Sequence, residues 1–528
     1  MNAQSHSQVP AKRSQLLRAG MITAAATLMS RILGMVRDIA IASLLGASLA
    51  SDVFFFANRI PNFFRRLFAE GAFAQAFVPV MTEYREKQDV TALKGLISAT
   101  VGTLGLIVLL VCIIGMIGAP VVTALFGFGW FEAYINNAPD GHKFTEASFL
   151  LQLTFPYLFF ITLTALCCSL LNVCGRFAIP AITPCILNLT FIAAAYFIAP
   201  HYADPNVILA LAMSIGGVLQ LIFVLPAIWR QRLLVLPRFA WRHTGVSRIR
   251  ALMIPGLLGV SASQINLLVN TVLATFLATG SISYLYYSDR LLEFPIGIFA
   301  VAISTVILPS LARVKAKHDE VQYVKTLDWA VRMVLLLGIP SALGLIALRY
   351  EVLRVIFMRG AFSAEHVSLS AASLLASLIG LCAIMLVRVL VQGFAALQDT
   401  KTPVRCAVTA MGANIVFNLI LVWPLDYVGL ALSTALAAFV NVGQLIYLLH
   451  RRKIYTPSTY TLGFTLKVLV AAIIMAFTLV YVSPDFSWWC QINTLQASLY
   501  LAGFILGGAL LFALCLIIMG IRPRELKA

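Results

Sequence analysis

The stretch from Leu96 to Phe126, LISATVGTLGLIVLLVCIIGMIGAPVVTALF, runs for 31 residues without an Asp, Glu, Lys or Arg. At ~1.5 Å per helical residue it is long enough to cross a hydrocarbon core of about 30 Å. Runs of this kind recur along the chain, separated by polar or Gly/Pro-containing connections. Fourteen helical spans are predicted: 21–45, 52–81, 96–126, 148–173, 180–199, 207–229, 251–279, 284–311, 328–348, 368–397, 405–423, 428–449, 463–482 and 497–521. Of the 528 residues 61% are hydrophobic and 11% charged, against about 25% charged in ordinary soluble chains. That balance excludes a soluble enzyme, a fibrous protein and a disordered chain. Continuous apolar runs also argue against an outer-membrane barrel, whose strands alternate polar and apolar. The fold class is an all-α polytopic membrane protein with fourteen transmembrane helices.

The net charge is +17. With the N-terminus placed inside, 25 Lys and Arg fall in inner segments, including Arg230, Arg232, Arg238, Arg242, Arg248 and Arg250 of one linker. Only Lys143, Arg349, Arg354 and Arg359 fall outside. Cytoplasmic loops collect Lys and Arg, so both termini are expected in the cytoplasm. The excess charge is then mostly an orientation signal, and nucleic acid loses its case as a partner. Residues 1–20 form a polar, basic arm. The apolar run after it contains Arg31 and Arg37, unlike a cleaved signal peptide. Among nine Cys only Cys490 sits in an outer loop, and Cys and His show no metal-ligand spacing. No metal and no cofactor is expected.

A weak internal repeat is present. Asn58-Arg59, Ala72 and Val78-Pro79 of the second span match Asp289-Arg290, Ala302 and Leu308-Pro309 of the eighth, at offsets of 231, 230 and 230. Leu209-Ala210-Leu211 of the sixth span matches Leu430-Ala431-Leu432 of the twelfth. Spans one to six map onto seven to twelve with the same orientation, a parallel repeat of the transporter kind with a substrate site between the halves. The predicted organisation is an arm at 1–20, an N-lobe at 21–229, a basic cytoplasmic linker at 230–250, a C-lobe at 251–450, and two appended helices with a tail at 451–528.

A charge at mid-bilayer costs several kcal/mol and usually faces a wet or protein interior. The intramembrane charges concentrate in three spans: Arg31, Arg37 and Asp38 in the first, Asp52, Arg59, Arg65, Arg66 and Glu70 in the second, Asp289, Arg290 and Glu293 in the eighth. Arg388 lies in the tenth. At about 100° per residue Arg59, Asn62, Arg66 and Glu70 share one face. These residues are expected to line an aqueous cavity. Every basic member is Arg, whose planar fork suits phosphate or carboxylate, so the cavity should favour an anionic, phosphorylated headgroup. Snorkelling or structural ion pairing is the competing reading for those near span ends, and the main one for Arg332 and Lys467. Pro61 and Pro295 should kink the second and eighth spans and act as hinges. No Gly-rich phosphate loop and no catalytic constellation is present, so the chain is read as a non-enzyme.

The same residues carry a resemblance. Ser30-Arg31-Ile32-Leu33-Gly34 with Arg37-Asp38 resembles the signature of the MurJ (MviN) lipid II flippases. Asp52-Val53-Phe54, Pro61-Asn62-Phe63-Phe64-Arg65-Arg66-Leu67-Phe68-Ala69-Glu70-Gly71-Ala72-Phe73 and Ala76-Phe77-Val78-Pro79 are similar to that family's most recognisable stretch. Tyr287 to Pro295, Arg359-Gly360-Ala361-Phe362 and Gln398 to Pro403 resemble further family segments. The resemblance implies a fourteen-helix member of the multidrug/oligosaccharidyl-lipid/polysaccharide exporter superfamily in a bacterial inner membrane. Its substrate would be lipid II, the undecaprenyl-pyrophosphate-linked peptidoglycan precursor. By this analogy Arg31, Arg37, Arg65 and Arg290 correspond to cavity arginines, with Asp52, Asn62, Glu70, Asp289 and Glu293 at neighbouring polar positions. A lateral groove at the two appended helices would cradle the lipid tail. Some members bind sodium through acids and amides in helices seven, eleven and twelve; here those spans offer Asn266, Asn270, Asn414, Asn418 and Asn441 and no buried Asp.

The expected function is therefore transfer of lipid II from the cytoplasmic to the periplasmic leaflet by alternating access, as a monomer. Membrane lipids surround it, and peptidoglycan-synthesis proteins are candidate partners. The alternatives are an exporter of another polyprenyl-linked saccharide or of drugs, and a non-transporting scaffold for envelope synthesis. A cavity lined by arginine has the wrong sign for cationic drugs.

Overall fold

The computed structural model describes residues 13–67, 72–87 and 89–521. Glu70, the start of the arm and the basic tail residues Arg522, Arg524 and Lys527 lie outside them. Among the described residues each of the fourteen expected spans falls mainly on helix. Among the described residues nine helices are long and apolar enough to cross a bilayer, and the bent pair Ala364–Ile379 and Leu381–Ala396 makes a tenth. One of the nine, Lys401–Arg451, has 51 residues, ~76 Å of helix and more than twice a hydrocarbon core. It is two spans. Asp426 leaves the helical region (φ 55°, ψ −141°) two residues after Pro424, which has no N–H to continue the ladder. The return is tight enough that a Cβ on Gly429 would lie 2.2 Å from the Leu421 carbonyl oxygen, so only glycine fits. The remaining spans are Arg13–Leu45, Leu49–Arg65 with Ala72–Glu86, and Thr244–Ala274; the first two carry the clustered charges.

The second and eighth spans break at equivalent places. Residues 66 and 67 form a widened π-type turn, and Ile296–Ala300 form another. Residues 66 and 296 are separated by the offset of the sequence repeat. Pro295, immediately before the second turn, contributes no N–H to the ladder, and helices bend where that ladder is interrupted. The sequence predicted the second span as continuous over 52–81; it is helical up to the π-type turn at 66 and 67 and again over Ala72–Glu86, and residues 68–71 lie outside the described residues.

Helix ends on loops are capped from the sequence. Asp89 accepts from the Thr91 and Ala92 amides, Asp319 from Gln322, Ser458 from Thr461 and Asn493 from Gln496. Each cap satisfies amides that have no partner within the helix.

The chain groups into two compact units. The first comprises Met1–Leu44, Phe56–Leu125 and Trp130–Ser261; the second comprises Leu45–Phe55, Phe126–Gly129 and Ala262–Ala528. The first unit has a core of Phe73, Phe77, Leu96, Leu158, Leu170 and Val224. In the second, Leu336 and Ile339 of one helix pack on Phe464, Val468, Ala471 and Ala472 of another, where small side chains let the backbones approach. The outward faces are apolar too. Leu110, Ile113, Ile114, Ile117 and Val121 are all exposed and recur at helical spacing, a stripe that lipid covers at no cost and water would not.

Candidate functional site

In the first unit the Arg13–Leu45 helix carries Arg31, exposed, and Arg37, half-buried. Arg37 donates from Nε and Nη2 to Asp38 Oδ1 at 2.9 and 2.7 Å and from Nη1 to Asn188 Oδ1 at 3.1 Å. Asn188 in turn donates to the Ser30 carbonyl at 3.1 Å. The guanidinium centre lies 5.8 Å from the Phe191 ring. Asp38 is fully buried, so the pair is charge-assisted and shielded from water. The carboxylate and the amide fix the direction of the guanidinium, and Arg31 lies six residues earlier on the same helix. Asn188 was missed by a scan for charges. The signal was available: a lone Asn in the apolar run Cys185-Ile186-Leu187-Asn188-Leu189, which must find partners when buried.

On the Leu49–Arg65 helix, Asn62 donates to the Asn58 carbonyl at 2.9 Å and to its side-chain oxygen at 2.6 Å, and Arg65 Nε donates to Asn62 Oδ1 at 3.0 Å. These bonds link Asn58, Asn62 and Arg65 along the helix, and Asn62 also belongs to the expected Arg59, Asn62, Arg66, Glu70 face. Arg59 is half-buried and Arg66 exposed; Glu70 is outside the described residues. Pro61 is buried within this helix.

In the second unit Asp52 is buried rather than facing open space. Its Oδ2 accepts from the Gly280 amide at 2.6 Å, and its Oδ1 from the Ser283 amide and hydroxyl at 2.9 and 2.6 Å. The Ser281–Pro295 helix starts after Gly280, at φ 97° and with no side chain to cap it. Asp52 supplies that cap from a distant segment, with its negative charge at the positive end of the helix dipole. Ser51 Oγ meets Ser283 Oγ at 2.7 Å, Tyr287 donates to the Gly46 carbonyl at 3.3 Å, and Phe55 stacks on Tyr286 at 3.9 Å. Further along, Arg290 pairs with Glu293 at 2.9 Å, one turn on, while Asp289 is exposed. Pro295 closes this helix ahead of the π turn. Arg388 is exposed on Leu381–Ala396 and makes no ion pair among the described residues.

Arg332, read as snorkelling, instead sits in a buried polar cluster. Its Nε is 3.9 Å from Asp328 Oδ2 and its guanidinium 5.0 Å from the Tyr460 ring. Asp328 also accepts from Tyr455, Ser458 and Thr461 hydroxyls at 2.8, 2.9 and 2.6 Å. Asn418 donates to Asn270 Oδ1 at 2.7 Å and to Asn414 Oδ1 at 3.0 Å, so three of the five amides noted in the sequence form one network. A groove of about 710 Å³ opens at helices Thr459–Val482 and Thr494–Ile518, lined by Thr478, Leu479, Val482, Leu499, Gly503 and Phe504 among others.

The family model for the lipid II flippase MurJ matches residues 41–499. The chain belongs to the MurJ lipid II flippase family. It is 47% identical to a probable lipid II flippase MurJ of Vibrio cholerae, over 97% of this chain and 98% of that one. It is 38% identical to the lipid II flippase MurJ of Burkholderia cenocepacia, over 90% and 91%. Among solved structures it resembles a lipid II flippase MurJ in an inward closed conformation, with a TM-score of 0.78 at 27% identity, covering 94% of this chain and 98% of that one. An inward-facing multidrug resistance transporter of the MATE family matches with a TM-score of 0.64 at 11% identity, over 88% and 99%, a likeness of fold alone. The resemblance read from Ser30–Asp38 and Asp52–Pro79 is thus a family relationship along nearly the whole chain. MurJ is a family of multi-pass membrane transporters, consistent with fourteen helical spans.

Proposed function

We propose that this chain moves lipid II from the cytoplasmic to the periplasmic leaflet of a bacterial inner membrane by alternating access. The observation that carries the proposal is membership of the MurJ family over nearly its full length. The side chains support it. Arg31, exposed ahead of the oriented Arg37, presents fixed positive charge suited to a pyrophosphate. Arg290 and Arg388 add further guanidinium groups, with Arg59, Asn62, Arg65, Arg66 and Glu70 on the second span and Asp289 and Glu293 on the eighth. The groove lined by Leu479, Val482, Leu499 and Phe504 has the apolar lining a polyprenyl tail needs, so the headgroup crosses while the tail stays in lipid. No covalent step is required. The Lys and Arg asymmetry puts both termini and the 230–250 linker in the cytoplasm. Membrane potential or an ion gradient acting on the charged residues would supply energy, since each elementary charge moved is worth ~2.3 kcal/mol per 100 mV.

The test is depletion of the protein followed by measurement of lipid II on each leaflet, with complementation by Arg31→Ala, Arg37→Ala and Arg290→Ala. Lipid II should accumulate on the cytoplasmic face, and none of the three variants should restore growth at normal protein levels. Depletion without accumulation would point to another lipid-linked substrate. Full complementation by all three variants would remove the arginines from the mechanism.

A further inference from the structure

Residues 229–250, Trp-Arg-Gln-Arg-Leu-Leu-Val-Leu-Pro-Arg-Phe-Ala-Trp-Arg-His-Thr-Gly-Val-Ser-Arg-Ile-Arg, contain six Arg and no acid. Orientation accounts for the charge and says nothing about the apolar residues among it. The segment between the helices ending at Arg230 and starting at Thr244 is extended and strapped to the Val90–Ile117 helix. Ser98 donates to the Leu236 carbonyl at 2.6 Å, the Arg238 amide donates to the Ser98 carbonyl at 3.1 Å, and the Ala240 amide donates to Thr103 Oγ1 at 3.1 Å. The approach is close: a Cβ on Gly102 would fall 2.3 Å from the Arg238 backbone. The strap is therefore fixed where the apolar run that begins at Leu96 meets polar sequence.

One side of the strap is accounted for. Leu233 is buried and Val235 packs on the core of the first unit. The other side is not. Leu236 is 89% exposed, Trp229 69%, Phe239 57%, Leu234 54% and Trp241 45%, and Arg230, Arg232, Arg238, Arg242 and Arg248 are exposed with them. The Arg250 guanidinium covers one face of Trp241 at 3.8 Å; a loop that only faced water would not leave the other four large apolar side chains uncovered. The connection at 451–458 shows the other outcome: Tyr455 is 1% exposed and donates to Asp328. Aromatic and aliphatic side chains interleaved with arginine, at the level where a spanning helix leaves the hydrocarbon, are the composition of a segment lying in the headgroup layer.

We propose that residues 229–243 form an interfacial strap that lies in the headgroup layer of the membrane and binds anionic glycerophospholipids. Leu234, Leu236, Phe239 and Trp241 enter the boundary between headgroups and acyl chains, and the arginines pair with lipid phosphates. Charge complementarity selects this occupant: nothing in the segment repels an anionic surface, and a juxtamembrane arginine gains from one. The inference does not depend on lipid II being the substrate, because it concerns where the strap lies.

The test places a fluorescent amino acid at position 236 of the full-length protein, reconstituted in vesicles of phosphatidylethanolamine and phosphatidylglycerol. Emission should be blue-shifted and quenched by lipid spin-labelled near the headgroup, and little affected by a water-soluble quencher. The same probe in place of Lys317 should show the reverse. In neutral detergent, added phosphatidylglycerol should reproduce the blue shift at 236 where phosphatidylcholine does not. The apparent affinity should fall about fivefold for each arginine removed in Arg232→Gln and Arg242→Gln. A probe at 236 that stays open to the aqueous quencher in vesicles overturns the proposal and leaves an acidic cytosolic protein as the occupant. Equal response to the two lipids overturns the anionic preference. Flipping of lipid II bears on neither readout, so failure here is distinguishable from failure of the transport reading.

Discussion

Two aspartates only fourteen positions apart in the chain are buried in different ways. Asp38 in the first unit meets a guanidinium; Asp52 in the second accepts from two backbone amides and a hydroxyl. The Arg37–Asp38 pair is local, two neighbours on one helix tied to Asn188, so it moves as one piece whatever the rest of the chain does. The Asp52 contacts join residues 228 and 231 positions apart. The donors in these three bonds are neutral, so breaking them strands no cation on the donor side. The first arrangement suits a permanent orienting device for Arg37, the second a fastening that can be made and unmade. The predictions below separate the two.

The largest effect is expected at Asp38. Asp38→Ala leaves the Arg37 guanidinium without its counter-charge, and breaking such a pair from one side costs about 3 kcal/mol or more. The variant should melt well below the parent in detergent. Replacing both residues with apolar ones, Arg37→Met with Asp38→Leu, should recover most of the stability, since no charge is then stranded. It should not recover flipping if Arg37 contacts the substrate. Recovery of both would make the pair purely structural.

At Asp52 the loss should be smaller and graded. Asp52→Ala removes the cap of the Ser281–Pro295 helix, a cost of about 2 kcal/mol. Asp52→Asn keeps one acceptor and turns a donor toward an amide, so it falls between parent and Ala. If the contact is a fastening that opens in the cycle, Ser283→Ala should change the flipping rate more than the melting temperature. Equal losses in both would make it a static cap.

Much of this was legible in the sequence and some could not be. Apolar run length and charge placement suffice for the helices, because in lipid a spanning segment must satisfy its own backbone. The π-type turn at residues 66 and 67 was not legible, since Arg65-Arg66-Leu67 contains neither Gly nor Pro. Arg31, Arg37 and Arg290 stood out because a charge among apolar residues needs a reason. The neutral partners did not: Asn188 meets Arg37 and Ser283 meets Asp52, and which neutral group meets which charge is decided by packing between segments more than a hundred residues apart. Asp52 looked from its charge like part of a wet cavity. Its burial follows from Gly280, which leaves a helix start without a side-chain cap of its own.

Pro295 sharpens the fastening side of the comparison. It ends the helix that Asp52 caps and precedes the π turn at Ile296–Ala300. Pro295→Ala restores an N–H and a regular ladder. Melting should rise slightly or stay level while flipping slows severalfold, the pattern of a lost hinge. Unchanged flipping in vesicles would leave the π turn as a packing feature.

A third aspartate calibrates the other two at the smallest scale. Asp399, on the connection before Lys401–Arg451, accepts from Thr402 Oγ1 at 2.6 Å and from Arg452 Nη1 at 2.6 Å, with Asp399 and Arg452 part-exposed and Thr402 buried. The Thr402 hydroxyl first, and then Arg452, hold its carboxyl well below the usual carboxylate range. A lowered folded pKa means the stabilisation is complete above the ordinary value of about 4 and is lost as pH falls through the folded value. Between pH 5 and pH 8 the contact should therefore contribute a constant amount, about 1 kcal/mol or less because water screens it. Asp399→Asn should lower the melting temperature slightly and equally across that range, and should flatten the loss of stability in acid. A variant whose deficit grew between pH 5 and pH 8 would show that some other group titrates against Arg452, and the surface contact could no longer serve as the exposed reference for Asp38.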